Sequence, residues 1–238
     1  MVSLPTAVVI GAGGGIGGAF VAALRNTGRY GRIHAFARTP PTSFSSVFGG
    51  QINVTNEESI AAAAMTVGSP VDLVLIATGM LHEGGRMPEK ALRELDANTL
   101  ARIFEVNTIG PALALKHFSP LLPKDRRAMI GVISARVGSI SDNRSGGWFG
   151  YRASKAALNM IVKSAAIEIA RSRPEAVCVA LHPGTVDTRL SLPFQHGVAP
   201  DRLFSPERAA RQLLDVIDGL KPIDTGKVFG WDGEEIQP

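Results

Sequence analysis

The chain has 238 residues, of which 45% are hydrophobic and 19% charged, with a formal net charge of +4. That balance excludes a disordered or fibrous chain and suits a globular one long enough to bury a substantial core. Basic residues are scattered, with Arg126-Arg127 the tightest cluster, so no stripe is laid out for nucleic acid.

Apolar runs of β type alternate with helical patterns along the whole length. Thr6–Ile10 reads as a strand, followed by a glycine turn and a helix over residues 15–26. Residues 5–24 carry no charge and match a membrane span in length. Glycines at 11, 13, 14, 15, 17 and 18 weaken a spanning helix, and no basic segment precedes the stretch. A buried strand, turn and helix start explain it better; no membrane contact is expected, and the expected compartment is the cytoplasm. Arg32–Ala37 reads as a second strand, residues 51–54 as a short third and 57–65 as a helix. Residues 71–77 form a strongly apolar fourth strand. Residues 89–96 and 99–122 read as helices, 128–134 as a fifth strand, and 151–171 as a long helix. Residues 177–182 read as a sixth strand, whose Cys178 is the chain's single cysteine, a packed thiol that excludes an intrachain disulfide. Ser205-Pro206-Glu207 starts a further helix, with a capping serine and a proline in the first turn. Residues 227–231 end the series as a strand. This alternation predicts one α/β domain over residues 1–238, a doubly wound parallel sheet of Rossmann type with helices on both faces. The five histidines show no paired ligand spacing, so no metal site is expected.

The run Ile10-Gly11-Ala12-Gly13-Gly14-Gly15-Ile16-Gly17-Gly18 joins the first strand to the first helix. Glycines there let the backbone turn sharply and approach a pyrophosphate at the helix N-terminus. Two registers fit, one on Gly13, Gly15 and Gly18 and one on Gly11, Gly15 and Gly17; the alternative is a tight turn without a ligand. The strand–turn–helix context favours a dinucleotide. An acidic residue normally follows the second strand to bind the ribose hydroxyls of NAD. Between Arg25 and Gln51 there is none, and Arg38 stands where a charged fork would meet a 2′-phosphate. NADP is therefore expected over NAD.

Tyr151 and Lys155 lie four residues apart at the head of the long helix, which puts both side chains on one face. A phenol has an ordinary pKa of about 10. A neighbouring cation favours phenolate, and such a phenol can deliver or accept a proton at a carbonyl or alcohol oxygen.

These motifs, in this order, resemble the short-chain dehydrogenase/reductase family over nearly the whole chain. Gly11, Gly15 and Gly17, with Ile16 between the last two, match its glycine pattern, although Ile10 stands where the family has threonine. Asn53-Val54 resembles its adenine-bordering pair. Ala77-Thr78-Gly79 corresponds to its Asn-Ala-Gly, from which Ala77 and Thr78 depart. Asn107 resembles its helix asparagine, Tyr151 and Lys155 its catalytic pair, and Pro183-Gly184-Thr185-Val186-Asp187-Thr188 the stretch that closes over the nicotinamide. The segments 134–140 and 142–148, with Gly230-Trp231-Asp232-Gly233, resemble the C-factor branch, which includes bacterial signalling proteins and sniffer-type carbonyl reductases.

The resemblance implies NADPH-dependent reduction of a carbonyl, or the reverse alcohol oxidation, on a small apolar substrate. Tyr151 is then the acid, Lys155 holds the nicotinamide ribose, Asn107 positions a water and Thr188 bonds the carboxamide. The residues 189–205, with Leu190, Leu192, Phe194 and Val198, read as a lid or as a plain surface loop. The family's catalytic serine falls on Ala135. Ser139 is the first candidate for a compensating hydroxyl and Ser134 the second. The competing expectation is a weakly catalytic NADP-binding signalling or sensor protein of C-factor type. A homodimer or homotetramer is expected, with Ile103, Val106, Ile109, Leu158, Ile161, Ala165 and Ile169 forming a second buried face.

Overall fold

The computed structural model describes residues 4–68 and 70–238. Seven parallel strands form one sheet in the order β3-β2-β1-β4-β5-β6-β9. They are β1 Thr6–Ile10, β2 Arg32–Ala37, β3 Val47–Gln51, β4 Leu73–Ile76, β5 Ala128–Ile133, β6 Ala176–His182 and β9 Val228–Gly230. A separate two-stranded ladder pairs β7 Thr185–Val186 with β8 Leu203–Phe204. Every residue of β4 and β5 is buried, as expected for strands covered on both faces.

Side chains alternate between two cores. On one face Val8 and Ile10 pack with α2 Glu57–Val67, α4 Gly110–Phe118 and α5 Phe149–Ser172. On the other, Ala7 and Val9 pack with α1 Gly15–Thr27 and α6 Pro206–Gly219. Helix starts follow the polar residues at their heads. Asn56 accepts from the Ser59 N–H ahead of α2, Asp96 from the Thr99 N–H ahead of α3 Ala97–Phe104, and Ser205 from the Arg208 N–H ahead of α6. The strand order reverses between β1 and β4, which opens a crevice at their carboxyl ends.

Three expectations need correction. The third strand is Val47–Gln51 rather than 51–54, so Val54 lies in the loop beyond it. Residues 89–96 form only a short turn at Leu92–Glu94. The helix expected over 99–122 is interrupted by a π turn at Glu105–Ile109, where the Gly110 N–H reaches back to the Glu105 carbonyl. Pro111 supplies the cause, since it has no N–H for the Asn107 carbonyl and its ring crowds that position. The proposed second apolar face also changes. Ile103, Leu158 and Ile169 belong to the interior, whereas Ile109, Met160 and Ile167 are the exposed apolar side chains of these helices.

Candidate active site

The glycine turn leaves β1 at the crevice. Gly11 takes φ +93°, and its N–H donates to the Phe36 carbonyl at the end of β2. A Cβ on Gly11 would lie 2.7 Å from the Ala77 carbonyl oxygen, one on Gly17 2.1 Å from the Gly11 oxygen, and one on Gly15 2.7 Å from the Thr188 methyl. At Gly13 and Gly18 the nearest atom is 3.3 Å away. The closest approaches therefore fall on the Gly11, Gly15 and Gly17 register. Ile16 packs into the group formed by Val186, Phe204 and Ala209.

The turn fits a dinucleotide phosphate on three further observations. No side chain caps the N-terminus of α1, and its first turn holds no acid. Its N–H groups and the positive end of its dipole are thus left for an anion. Beside the turn, Thr78 Oγ1 is buried without a hydrogen-bond partner among the described residues, while the Thr78 methyl would lie 3.2 Å from a Cβ on Gly11. Arg38 is exposed just past β2, and its carbonyl accepts from Gln51 Nε2 at 3.3 Å. Asn53 turns inward on its own loop, its Oδ1 accepting from the Thr55 N–H and hydroxyl. Val54 seats against Gly110 at the head of α4.

Tyr151 and Lys155 stand on the first turns of α5. They are 8% and 1% exposed, with Lys155 Nζ 5.9 Å from the Tyr151 ring centre. Lys155 Nζ donates to the Ile133 carbonyl at 3.0 Å. A Cβ on Gly79 would lie 3.7 Å from that Nζ and 3.9 Å from Asn107 Oδ1. Tyr151, Lys155, Asn107 and Gly79 are thus gathered at one place. Burial pushes the Tyr151 phenol up to about 12 and brings the Lys155 ammonium down to about 8. Desolvation therefore opposes the acidification of the phenol expected from its cationic neighbour.

Asn107 is a strut. Its Oδ1 accepts from the Met80 N–H at 2.7 Å, and its Nδ2 donates to the Met80 carbonyl at 2.8 Å and to Ser154 Oγ at 3.1 Å. Ser154 Oγ in turn donates to the Tyr151 carbonyl at 2.8 Å. Both ends of the amide are engaged, so the side chain ties the β4 loop to α5. Neither expected hydroxyl hydrogen-bonds to the Tyr151 hydroxyl. Ser134 Oγ donates to Asn159 Oδ1 at 2.6 Å, and Ser139 Oγ pairs with Ser141 Oγ at 3.3 Å while accepting from the Asp142 N–H. Ala135 packs in the apolar group around Tyr151 with Met80, Val137, Trp148, Leu190 and Phe194.

Pro183 is buried at the end of β6, Gly184 takes φ +76°, Val186 is buried, and Thr188 meets Gly15. The following segment joins the site through Leu190 and Phe194, whereas Leu192 is 61% exposed and lies outside that apolar group. Sequence reasoning missed Trp148. Its ring stands edge-on to Tyr151 at 6.3 Å and to Phe194 at 4.9 Å, and Phe194 meets His82 at 5.9 Å. The signal was faint: Gly146-Gly147 ahead of a helix start, with Trp148 itself at φ +51°. It also missed Glu89, which receives the Trp148 N–H on its carbonyl and the Gly150 N–H on its carboxylate, capping α5 from a distant loop.

A family model described as "short chain dehydrogenase" matches residues 5–197. The chain belongs to the short-chain dehydrogenase/reductase family of oxidoreductases. Within that family it is 34% identical over 191 residues to 1-hydroxy-2-glutathionyl-2-methyl-3-butene dehydrogenase of Rhodococcus sp. (strain AD45), covering 78% of each chain. It is 37% identical over 147 residues to C-signal of Myxococcus xanthus, covering 61% of this chain and 82% of the relative. Among solved structures it resembles the NADPH-bound carbonyl reductase from chicken fatty liver, with TM-score 0.83, 25% identity and 100% coverage of both chains. The carbonyl reductase Sniffer of D. melanogaster shares the fold at TM-score 0.84, 21% identity and 100% coverage of both. The seven-stranded sheet and its helical layers are the Rossmann fold of this family. Among the described residues no helix is long and apolar enough to cross a membrane.

Proposed function

We propose that this short-chain dehydrogenase/reductase is an NADPH-dependent carbonyl reductase acting on a small apolar carbonyl compound. The observation that carries the reading is the buried Tyr151–Lys155 pair, set in an apolar box beside an uncapped glycine turn. The relatives support it, one being a dehydrogenase and one structural neighbour an NADPH-bound carbonyl reductase.

In this reading Gly11, Gly15, Ile16, Gly17 and the α1 N-terminus hold the pyrophosphate, and Arg38 meets the 2′-phosphate. Asn53 and Val54 border the adenine, and Ala77, Thr78 and Gly79 face the ribose side, with the orphaned Thr78 hydroxyl supplying a hydrogen bond. Lys155, Pro183, Gly184, Val186 and Thr188 hold the nicotinamide end. The nicotinamide, when bound, supplies the hydride for the carbonyl carbon. Tyr151 donates the proton to the substrate oxygen. With burial pushing it up to about 12, it stays protonated at neutral pH, the form that reduction requires. The phenolate left after transfer is stabilised by Lys155, which keeps its charge at neutral pH and loses it as pH rises through about 8. The enzyme would work in the cytoplasm as a homodimer or homotetramer.

A second reading, a weakly catalytic NADP-binding sensor, draws on Ala135 at the serine position and on the likeness to C-signal. The intact Tyr151–Lys155 pair favours the enzyme. A panel of aldehydes, ketones and diketones, followed by absorbance with NADPH and NADH, tests both. At least one carbonyl should turn over, with kcat/KM at least about tenfold higher for NADPH, a preference worth ~1.4 kcal/mol. Arg38→Ala should erase that preference, and Tyr151→Phe should abolish turnover while calorimetric NADPH binding persists. Equal use of NADH overturns the role of Arg38. NADPH binding without turnover of any carbonyl gives the sensor the better claim.

A further inference from the structure

A cavity of about 180 Å³ lies at the carboxyl ends of β6 and β9. None of the apolar side chains grouped around Tyr151 lines it. It shares one wall with the Pro183–Thr188 loop, and that loop has two faces. Thr188 puts its methyl on Gly15, whereas a Cβ on Gly184 would lie 2.7 Å from the Phe204 ring and 3.1 Å from Trp231. The cavity occupies the Gly184 side.

Its lining joins one buried imidazole nitrogen to four charged side chains, Arg136, Arg202, Asp232 and Glu234, that are exposed at the surface. His182, the last residue of β6, has its Nδ1 buried without a partner among the described residues. Arg136 is held by Asp142 at 2.9 Å. Arg202, Asp232 and Glu234 also line the cavity, and among the described residues none of them forms a salt bridge. The Asp232 carboxylate accepts only the Glu234 N–H, at 3.2 Å. The Trp231 indole forms part of the wall, packed edge-on against Phe204 at 4.8 Å. Exposed charges of both signs thus rim one small space without contact between opposite charges other than Arg136 with Asp142, beside the unpartnered Nδ1 of His182. Of these groups only His182 Nδ1 is buried and unpaired, and a buried polar atom is ordinarily paired, by protein or by what the protein binds.

We propose that this cavity binds a zwitterion of amino-acid size, its carboxylate on Arg202 and its ammonium on Asp232 and Glu234. A plain anion would leave the two carboxylates facing it, and a plain cation would face Arg202 and Arg136. A zwitterion answers both signs and brings donors to the His182 ring. Burial brings that ring down to about 4, so at neutral pH it is an uncharged partner and not a third cation. Size points the same way. The volume holds roughly six waters at ~30 Å³ each. It falls below the ~300–1,000 Å³ of pockets that enclose drug-sized ligands, which leaves no room for a dinucleotide.

Calorimetry on the full chain, without dinucleotide, tests the site independently of the reductase reading. The probes are L-alanine and L-leucine, with L-alanine methyl ester, N-acetyl-L-alanine and acetate as controls. At least one free amino acid should bind saturably, and removing either charge, in the ester or the acetylated form, should weaken binding at least tenfold. Arg202→Ala and Asp232→Asn should each weaken it at least tenfold without lowering the melting temperature of the unliganded chain. No saturable heat from either amino acid overturns the proposal. So does acetate, the ester or the acetylated form binding as tightly as the zwitterion, or both variants binding like the parent. The derivative series decides on the parent chain even where a variant folds poorly.

Discussion

Around the Tyr151 hydroxyl, Ala135 marks what the site lacks. Its backbone is extended, at φ −152° and ψ 146°, and its methyl joins the apolar group about the phenol. One step earlier along the extended chain a side chain points the other way, and Ser134 accordingly bonds Asn159 on α5. Ser139 is spent in its own turn with Ser141 and Asp142. In the proposed reduction the substrate oxygen then receives the Tyr151 proton without a neighbouring serine hydroxyl. A positioned donor at a developing oxyanion is worth ~2.7–4 kcal/mol. Ala135→Ser supplies that hydroxyl to an apolar pocket that does not orient it, so only part of the effect is expected. The turnover number with saturating NADPH should rise at least about tenfold on whichever carbonyl the parent reduces. An unchanged turnover number would mean that another group already serves the oxygen.

The elements carry their own tests. Gly17 opens the second half-turn of α1, and a Cβ there would lie 2.1 Å from the Gly11 carbonyl oxygen, a backbone atom that cannot swing aside. Gly17→Ala should therefore part α1 from the β1 turn, cost ~1–3 kcal/mol and lower the melting temperature by several degrees. Gly18→Ala meets its nearest atom at 3.3 Å, and the helix-propensity gain of ~1 kcal/mol offsets that crowding, so its melting temperature should stay near the parent's. Reversal of that order would return the alternative glycine register to favour. The strands and caps that could be read beforehand are those whose own residues decide them: the apolar runs of β1, β2 and β5, and Ser205 ahead of α6. β3 was misplaced because Gly49 and Gly50 look unlike strand residues. Their bare α-carbons are what the packing uses, since a Cβ on Gly50 would collide with the Phe36 ring. Residues 89–96 favour a helix by composition, yet Glu89 is drawn off to cap α5 and Lys90 donates its N–H to the Glu94 carboxylate. Tyr151, Lys155 and the glycine turn were legible from spacing alone. Ala135 at the serine position was legible too, whereas the packing of Trp148 on Phe194 and the bond that draws Ser134 to Asn159 join segments distant in sequence.

For the molecule as a whole, buried titratable groups at opposite ends of the scale set the pH window of stability. Lys155, brought down to about 8, is protonated in the unfolded chain and neutral in the fold between that value and its ordinary 10.5, so its contribution makes stability rise with pH there. Cys178 and Tyr151, both pushed up to about 12 by burial, retain protons in the fold that the unfolded chain has lost, and their contribution falls as pH climbs through the same alkaline range. The acid side is simpler. His182 falls from an ordinary 6.5 to about 4 in the fold through burial, with the Arg136 charge acting in the same direction. Between those values the unfolded chain binds a proton that the fold refuses, so this stability is complete above pH 6.5 and lost as pH falls through 4. At pH 4.5 the shift amounts to about 2 kcal/mol after some relaxation of the site. The Glu83 carboxylate, held below its usual range by its hydrogen bond to Arg102, is still ionised at that pH and adds little to the change. Urea unfolding at pH 7 and pH 4.5 should therefore show a loss of stability in the parent that His182→Gln reduces by about 2 kcal/mol. Equal losses in the two proteins would place the acid-sensitive group elsewhere. His34, also lowered by burial and lining the cleft beside Phe48, would then be the next residue to replace.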